Sequence, residues 1–279
     1  MTKIKIGVIG YTSRFGKPLI QRGCIPLDMD ITKPNNIEHV LGQVRPHLVV
    51  NLAAHSDPDW CEENYDETLN VNVYGFLNLC RETEKRTIPV VTLSTDHIFS
   101  GRTFFDWKLK RLVHKGPYKE DYSRPLPVNN YGISKLGMEG VAASFKHVKV
   151  VRTSYCFDYE RLKWYIDGFK KGYPDQFPSF IYRSFMHTDH FIYVFLKYLE
   201  KVLDMPQTLH ISGSLTTDWY TFMQALSEMY GIGKVFKRKK EIENYAPRPY
   251  KAGLDTSLSK KLGLPQFDYY DGLKLLDIK

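Results

Sequence analysis

Tyr131 and Lys135 stand four residues apart in the run 131–135 (YGISK), and a serine, a threonine and an aspartate occupy 94–96 upstream. On a helix, positions four apart share a face, so the phenol and the ammonium are neighbours. A phenol titrates near ~10, too high for efficient proton exchange at neutral pH, and a nearby ammonium favours the phenolate and lowers that value. The hydroxyl of Thr95, from the end of a strand, could hold a carbonyl against the phenol. Thr95, Tyr131 and Lys135 would then make a proton donor for a carbonyl that is accepting hydride. The same spacing also arises where a ring packs on a core with a lysine stem lying along it. The elements that position the pair have to decide between the two readings.

Those elements begin at once. Residues 3–9 (KIKIGVI) are short, β-branched and bounded by glycine, which reads as a buried parallel strand. The turn 10–16 (GYTSRFG) follows and leads into KPLIQR, which can start a helix. Gly10 permits a tight turn and Gly16 permits close packing of helix on strand, the arrangement that offers free N–H groups to a pyrophosphate. Ser13 stands at the middle position, where a glycine is usual. Further strands are expected at 24–27, 47–52 and 88–93, with a helix after Asp30, capped by Asn35 or Asn36, and another over 65–86. Asn72 lies near the apolar face of the second of these and reads as a buried hydrogen-bonding residue as readily as a ligand contact. Small residues after the third strand, Ala53 and Ala54, would let a ligand approach the backbone or pack under a helix. Thr95 falls at the carboxyl end of the fourth strand, where open α/β sheets bind their ligands. A strand at 148–151 closes the series, and the alternation predicts a doubly wound parallel sheet.

The connection 101–127 is long, aromatic and basic. Beyond Thr153, helices are expected near 159–171, 188–203 and 216–231, with Asp189 in a capped, core-packed helix, and short strands near 179–183 and 208–212. The expected division is a dinucleotide-binding domain over 1–155 and a smaller substrate lobe over 156–279 that interlaces with it.

A chain of 279 residues can hold such a pair, and 43% hydrophobic with 25% charged residues is ordinary for a soluble globular protein. No run approaches a membrane span, and the start MTKIKIGVIG lacks signal-peptide architecture. Four cysteines without CxxC spacing point to neither a zinc site nor a disulfide framework, so a reducing cytoplasm fits best. The net charge of +8 suits an anionic ligand. Its two concentrations, 108–115 (KLKRLVHK) and 234–240 (KVFKRKK), read as solvated loops and sit in no nucleic-acid motif.

Taken in order, GxxSxxG at 10–16, LDMDIT at 27–32, RPHLVVNLAA at 45–54, NVNVYG at 70–75, STDHIF at 94–99, PVNNYGISKL at 127–136, VVRTS at 150–154, HISG at 210–213 and APRP with LDTS at 246–257 resemble the extended short-chain dehydrogenase/reductases. Within them the chain looks like the dTDP-4-dehydrorhamnose reductases. The resemblance implies a Rossmann fold that takes NADP or NAD, and a reaction that reduces the 4-keto group of a nucleotide-linked 6-deoxyhexose. It makes Thr95, Tyr131 and Lys135 the catalytic set, with Lys135 also on the nicotinamide ribose. Gly10, Ser13, Arg14, Phe15 and Gly16 would form the phosphate turn, Asp30 and Ile31 the adenine contacts, and Ala53 and Ala54 the path of the cofactor. His97 and Tyr155 replace residues that border the sugar in the family, and Arg183 matches an arginine that meets a substrate pyrophosphate, or serves as a structural ion-pair partner. Arg248 could reach a phosphate, or serve as a buried tie between loop carbonyls. The substrate partner is then a nucleotide sugar, with no role for nucleic acid or membrane and with a homodimer left open. The same family includes the regulatory subunit of methionine adenosyltransferase, so a non-catalytic NAD(P)-binding protein is the alternative.

Overall fold

The computed structural model describes residues 4–102, 104–106, 111–113, 116–173, 176–238 and 246–278. Strand and helix alternate through β1 (Ile6–Ile9), α1 (Gly16–Gln21), β2 (Ile25–Pro26), α2 (Pro34–Val44), β3 (Leu48–Asn51), α3 (Pro58–Glu63), α4 (Tyr65–Leu69), a π-helical turn (Asn70–Gly75), α5 (Phe76–Glu84) and β4 (Val90–Thr95). The connection that follows contains an antiparallel pair, β5 (Phe104–Asp106) and β6 (Arg111–Val113), before α6 (Asn130–Ala143) and β7 (Val148–Thr153). Then come β8 (Cys156–Phe157), α7 (Tyr159–Lys170), β9 (Gln176–Pro178), β10 (Tyr182–Arg183), β11 (Met186–His187), α8 (Thr188–Leu199), β12 (Thr208–His210), β13 (Thr217–Asp218), α9 (Trp219–Tyr230), β14 (Phe236–Arg238), α10 (Ser257–Lys261) and α11 (Tyr269–Leu273).

Six strands make the central sheet in the order β12-β7-β4-β3-β1-β2. The pairs β1/β2, β1/β3 and β3/β4 are parallel, with Gly7 opposite both Ile25 and Val49. The chain leaves β1 for β2 on one side and returns to place β3 on the other, so the order reverses between β1 and β3. In a doubly wound sheet that reversal opens a crevice at the carboxyl ends of the two strands. All four residues of β3 are buried, as expected of a strand covered by helices on both faces.

Backbone contacts divide the chain into two units, the first made of 1–98, 127–152 and 201–209, the second of 99–126, 153–200 and 210–279. This differs from a single boundary at 155. In the first unit, Ile9, Leu27, Ile31, Val49, Phe76, Leu79, Met138 and Val150 belong to one core, in which strands and covering helices bury their apolar faces together. The second has its own core, rich in rings, around Phe157, Ile166, Phe185, Phe222 and Tyr269. Part of the 101–127 connection is fixed within it, since the Tyr118 N–H donates to the Gly253 carbonyl (2.8 Å) and the Asp255 N–H to that of Tyr118 (2.7 Å). Most of the basic run 108–115, and the end of 234–240, lie outside the described residues.

Several local expectations are corrected. The helix expected over 65–86 spans 65–84 and contains a π-helical segment at 70–75. Lys33, not an asparagine, is the N-cap of α2, and Asn36 instead accepts from the Asp30 N–H (2.7 Å). His187 caps α8 through Nδ1, with Asp189 in the first turn. Of the strand expected near 179–183 only the end forms, as β10, and the one expected near 208–212 ends at His210 within the central sheet.

Candidate active site

Thr95 ends β4 and is 6% exposed. The chain then tightens into a single 3₁₀ turn, Asp96–Ile98, so the Thr95 hydroxyl accepts from the His97 N–H (3.2 Å) and lies 3.3 Å from Asp96 Oδ1. Helix α6 begins against this turn. Asn129 is its N-cap, and the cap oxygen accepts from the Gly132 N–H (2.8 Å). That leaves the amide nitrogen of Asn129 to donate to His97 Nδ1 (3.1 Å), which assigns Nδ1 as acceptor and makes Nε2 the protonated nitrogen of a neutral ring. Gly132 lets the helix come this close, because a Cβ there would collide with the His97 carbonyl oxygen. The His97 ring meets the Tyr131 ring edge-on, with centroids 5.4 Å apart. Three separate contacts therefore seat the first turn of α6, which carries Tyr131, on the turn after Thr95.

Lys135 follows one helical turn later and is 4% exposed. Its ammonium donates to Met138 Sδ (3.0 Å). Burial pushes its pKa down to about 8, opposed by the negative charge of Glu139. Glu139 is in turn clamped by Arg152 of β7, Nε to Oε1 at 2.9 Å and Nη2 to Oε2 at 2.7 Å, with both side chains nearly buried.

Asn72, in the π turn, completes the frame. It accepts from the His55 N–H (2.8 Å) and donates to the His55 carbonyl (2.9 Å) and to Ser134 Oγ (2.9 Å). Ser134 passes its own hydrogen to the Tyr131 carbonyl (2.8 Å). Asn72 thereby ties the loop after β3 to the helix of Tyr131 and Lys135, the buried hydrogen-bonding role rather than a direct ligand contact. A π turn inside a helix often marks such a site.

The turn after β1, at the crevice between β1 and β3, lies in the same unit. Gly10 has φ +70°, and a Cβ there would come within 2.9 Å of the Leu52 carbonyl carbon and 3.0 Å of the Ala53 nitrogen. Gly16 has equally little room, against Gly10 and Tyr11. The Ser13 hydroxyl accepts from the Gly16 N–H (3.1 Å), bracing the turn from the position where a glycine was expected. The Arg14 guanidinium sits over the Phe15 ring at 4.8 Å. Asp30 is held below the usual carboxylate range, chiefly by the Thr32 hydroxyl (2.6 Å), and also pairs with Lys33 (3.2 Å). The Ile31 side chain is buried in the core, which leaves mainly its backbone for an adenine. Ala53 and Ala54 are half-buried, and the Ala53 N–H donates to Asn51 Oδ1 (3.2 Å).

Tyr155 and Arg183 belong to the second unit. The Tyr155 ring meets Trp219 and Phe185 edge-on, and the Arg161 guanidinium lies 4.4 Å from its centroid. Arg183 is 4% exposed, and its Nη1 donates to the Tyr182 (2.7 Å) and Pro249 (2.9 Å) carbonyls. These bonds make it a loop tie. Arg248 bonds the Ala246 carbonyl in the same manner (2.5 Å).

Asn129, Asn72, Glu139 and Met138 were not among the site residues expected from sequence. Met138 could have been found from its place three residues after Lys135. The partners of Asn72 could not, because they lie 17 and 62 residues away.

A solved dTDP-4-dehydrorhamnose reductase from Bacillus anthracis in complex with NADP superimposes with a TM-score of 0.85 at 20% identity, covering 98% of this chain and 97% of that one. Among curated relatives, a spore coat polysaccharide biosynthesis protein from Bacillus subtilis is 25% identical over 262 residues, 88% of this chain and 84% of that protein. The methionine adenosyltransferase 2 subunit beta of Pongo abelii is 28% identical over 111 residues, 40% of this chain and 29% of that protein. The structural likeness establishes a Rossmann-like fold, a parallel sheet flanked by helices. With the sheet order, the glycine turn and the Tyr131–Lys135 helix in place, the match of the RmlD substrate binding domain to residues 5–276 completes the assignment, and the chain belongs to that family.

Proposed function

We propose that this chain is an NADPH- or NADH-dependent reductase of the 4-keto group of a nucleotide-linked 6-deoxyhexose, dTDP-4-dehydrorhamnose or a close relative, with Tyr131 as the proton donor. The observation that carries the reading is the joint of Asn129, Gly132 and His97, which seats the helix of Tyr131 and Lys135 on the turn after Thr95. The relative named as a reductase in complex with NADP supports the cofactor and substrate class.

The residues present fit a dinucleotide. Lys135 is a buried ammonium bonded to a thioether, a weak acceptor, and ribose hydroxyls would serve it better. Gly10, Ser13, Arg14, Phe15 and Gly16 would hold the pyrophosphate, Asp30 and the backbone of Ile31 the adenosine end, and Ala53 and Ala54 the wall beside the nicotinamide. When bound, the reduced nicotinamide supplies the hydride. The chain's own groups then manage the proton. Thr95 holds the carbonyl oxygen by its hydroxyl, the Tyr131 phenol donates to that oxygen as negative charge builds on it, and the Lys135 ammonium steadies the phenolate left behind. With its pKa near 8, Lys135 is mostly charged at neutral pH. The reaction sits naturally in a reducing cytoplasm, the compartment in which four buried free cysteines are unremarkable.

The test is to incubate the protein with NADPH and dTDP-4-keto-6-deoxyhexose and follow the nicotinamide absorbance. Tyr131→Phe is expected to lower kcat/KM by about 10²–10⁴-fold with NADPH binding retained. A variant that keeps near-normal turnover removes Tyr131 from the mechanism. A second reading, a non-catalytic NAD(P)-binding regulatory subunit, is favoured by the relatives named as methionine adenosyltransferase 2 subunit beta. It predicts cofactor binding without turnover on any 4-keto nucleotide sugar.

A further inference from the structure

The Met138 thioether lies at the centre of a small polar group buried within an otherwise apolar layer. Met138 is 1% exposed and part of the core of the first unit. Its sulfur nevertheless receives two donors, Lys135 Nζ at 3.0 Å and the Thr92 hydroxyl at 3.4 Å. Thr92 is itself placed by the Asn51 amide (3.3 Å) at the end of β3. Ser94, two residues further along β4 and therefore on the same strand face as Thr92, has a buried hydroxyl without a hydrogen-bond partner among the described residues. A methionine in a core usually fills space. Here it stands three residues after the lysine, on the same face of α6, and supplies the acceptor of that lysine's hydrogen bond.

We infer that Met138 is the positioning residue for Lys135: its sulfur holds the ammonium at rest, within reach of the Tyr131 side of α6, until the hydroxyls of a bound ribose offer a stronger acceptor. The inference rests on the assignment of Lys135 to the catalytic set. Its physical basis is that an ammonium cut off from water needs an acceptor to stay charged. A leucine of similar volume in place of Met138 would fill the space and supply none. Four charged or titratable groups beside α6 are engaged elsewhere. Glu139 is clamped by Arg152, Glu62 of α3 accepts from the Asn130 N–H (2.8 Å), Asp96 lies beside the Thr95 hydroxyl, and His97 is bonded to Asn129 and packed on Tyr131. Among the described residues Glu139 is the charged group that acts on Lys135, and it favours the protonated form against the effect of burial. Removal of the sulfur should therefore move Lys135 toward neutrality, and a better acceptor should do the reverse.

The test needs neither substrate nor cofactor, so it stands apart from the question of which sugar is reduced. The intact protein is labelled with carbon-13 at the lysine ε position, and the signal of Lys135 is assigned by its loss in Lys135→Arg. Its titration is then followed in wild type, Met138→Leu and Met138→Gln. Met138→Leu is expected to lower the titration midpoint by about one pH unit, and Met138→Gln, whose amide oxygen is a stronger acceptor, to raise it above the wild-type value. A role in packing alone predicts no shift for leucine and the larger disturbance for glutamine. Coincident midpoints in folded wild type and Met138→Leu would overturn the inference. Should the leucine variant not fold, the glutamine variant decides: a midpoint raised above wild type supports the role, and an unchanged or lowered one refutes it.

Discussion

Lys135→Met is expected to make the protein more stable while abolishing its chemistry. The ammonium is buried, and burial brings its pKa down from 10.5 to about 8. At about 1.4 kcal/mol per unit, keeping it charged in the folded state costs about 3 kcal/mol. The sign follows from proton binding. Between pH 10.5 and 8 the unfolded chain takes up a proton that the folded chain refuses, so stability falls as pH falls through this window. Below about 8 both states are protonated and the penalty is constant. A methionine retains most of the lysine stem without the charge, and Met138 keeps the Thr92 hydroxyl as a donor. Urea unfolding at pH 7 is therefore expected to show a gain of about 2–3 kcal/mol for Lys135→Met. The gain should shrink toward zero as the pH approaches 10, and reductase turnover should be lost throughout. A variant less stable than wild type at pH 7, or an effect that ignores pH, would falsify the claim that Lys135 is a buried charge held at an energetic cost.

Asn72→Leu strands the His55 N–H, leaves the His55 carbonyl only the weak Cys61 thiol donor and removes the tie to Ser134, so urea unfolding should show a loss of about 1–3 kcal/mol, with weaker NADPH binding measured by fluorescence. A neutral result would show that water replaces all three bonds. Gly132→Ala puts a methyl group into the His97 carbonyl and pushes the start of α6 off the turn after Thr95. The expected outcome is a folded protein with kcat lowered by about 10²-fold, read by steady-state kinetics beside circular dichroism. Unchanged kcat would mean that the fit of α6 on that turn does not set the chemistry.

Much of this architecture is local and hence visible along the chain. Strand–helix alternation, the Gly10 turn and the pairing of Tyr131 with Lys135 follow from periodicity and spacing within a few residues. The position of Thr95 at a strand end follows from the same alternation. Local signals were less secure at helix ends. Asn35 and Asn36 had the chemistry of a cap, but Pro34 takes the first helical position and Asn36 turns to the Asp30 backbone instead. At α8 the cap is a histidine, His187, with Asp189 in the first turn behind it. For Arg183 the sequence offered a pyrophosphate contact or an ion pair but not its bond to the Pro249 carbonyl, which lies 66 residues away.

What sequence alone determined, then, is the set of reactive groups and the order of the elements that carry them, because both depend on neighbours one or two turns away. Only the tertiary structure decided the environment of those groups. The sulfur beneath Lys135 meets a threonine 46 residues distant, Asn72 reaches Ser134 across 62, and segment 201–209 crosses over to join the first unit and complete the sheet. Such contacts form where the chain folds back on itself, and burial, which lowers the pKa of Lys135, exists only once the helices have closed over the sheet.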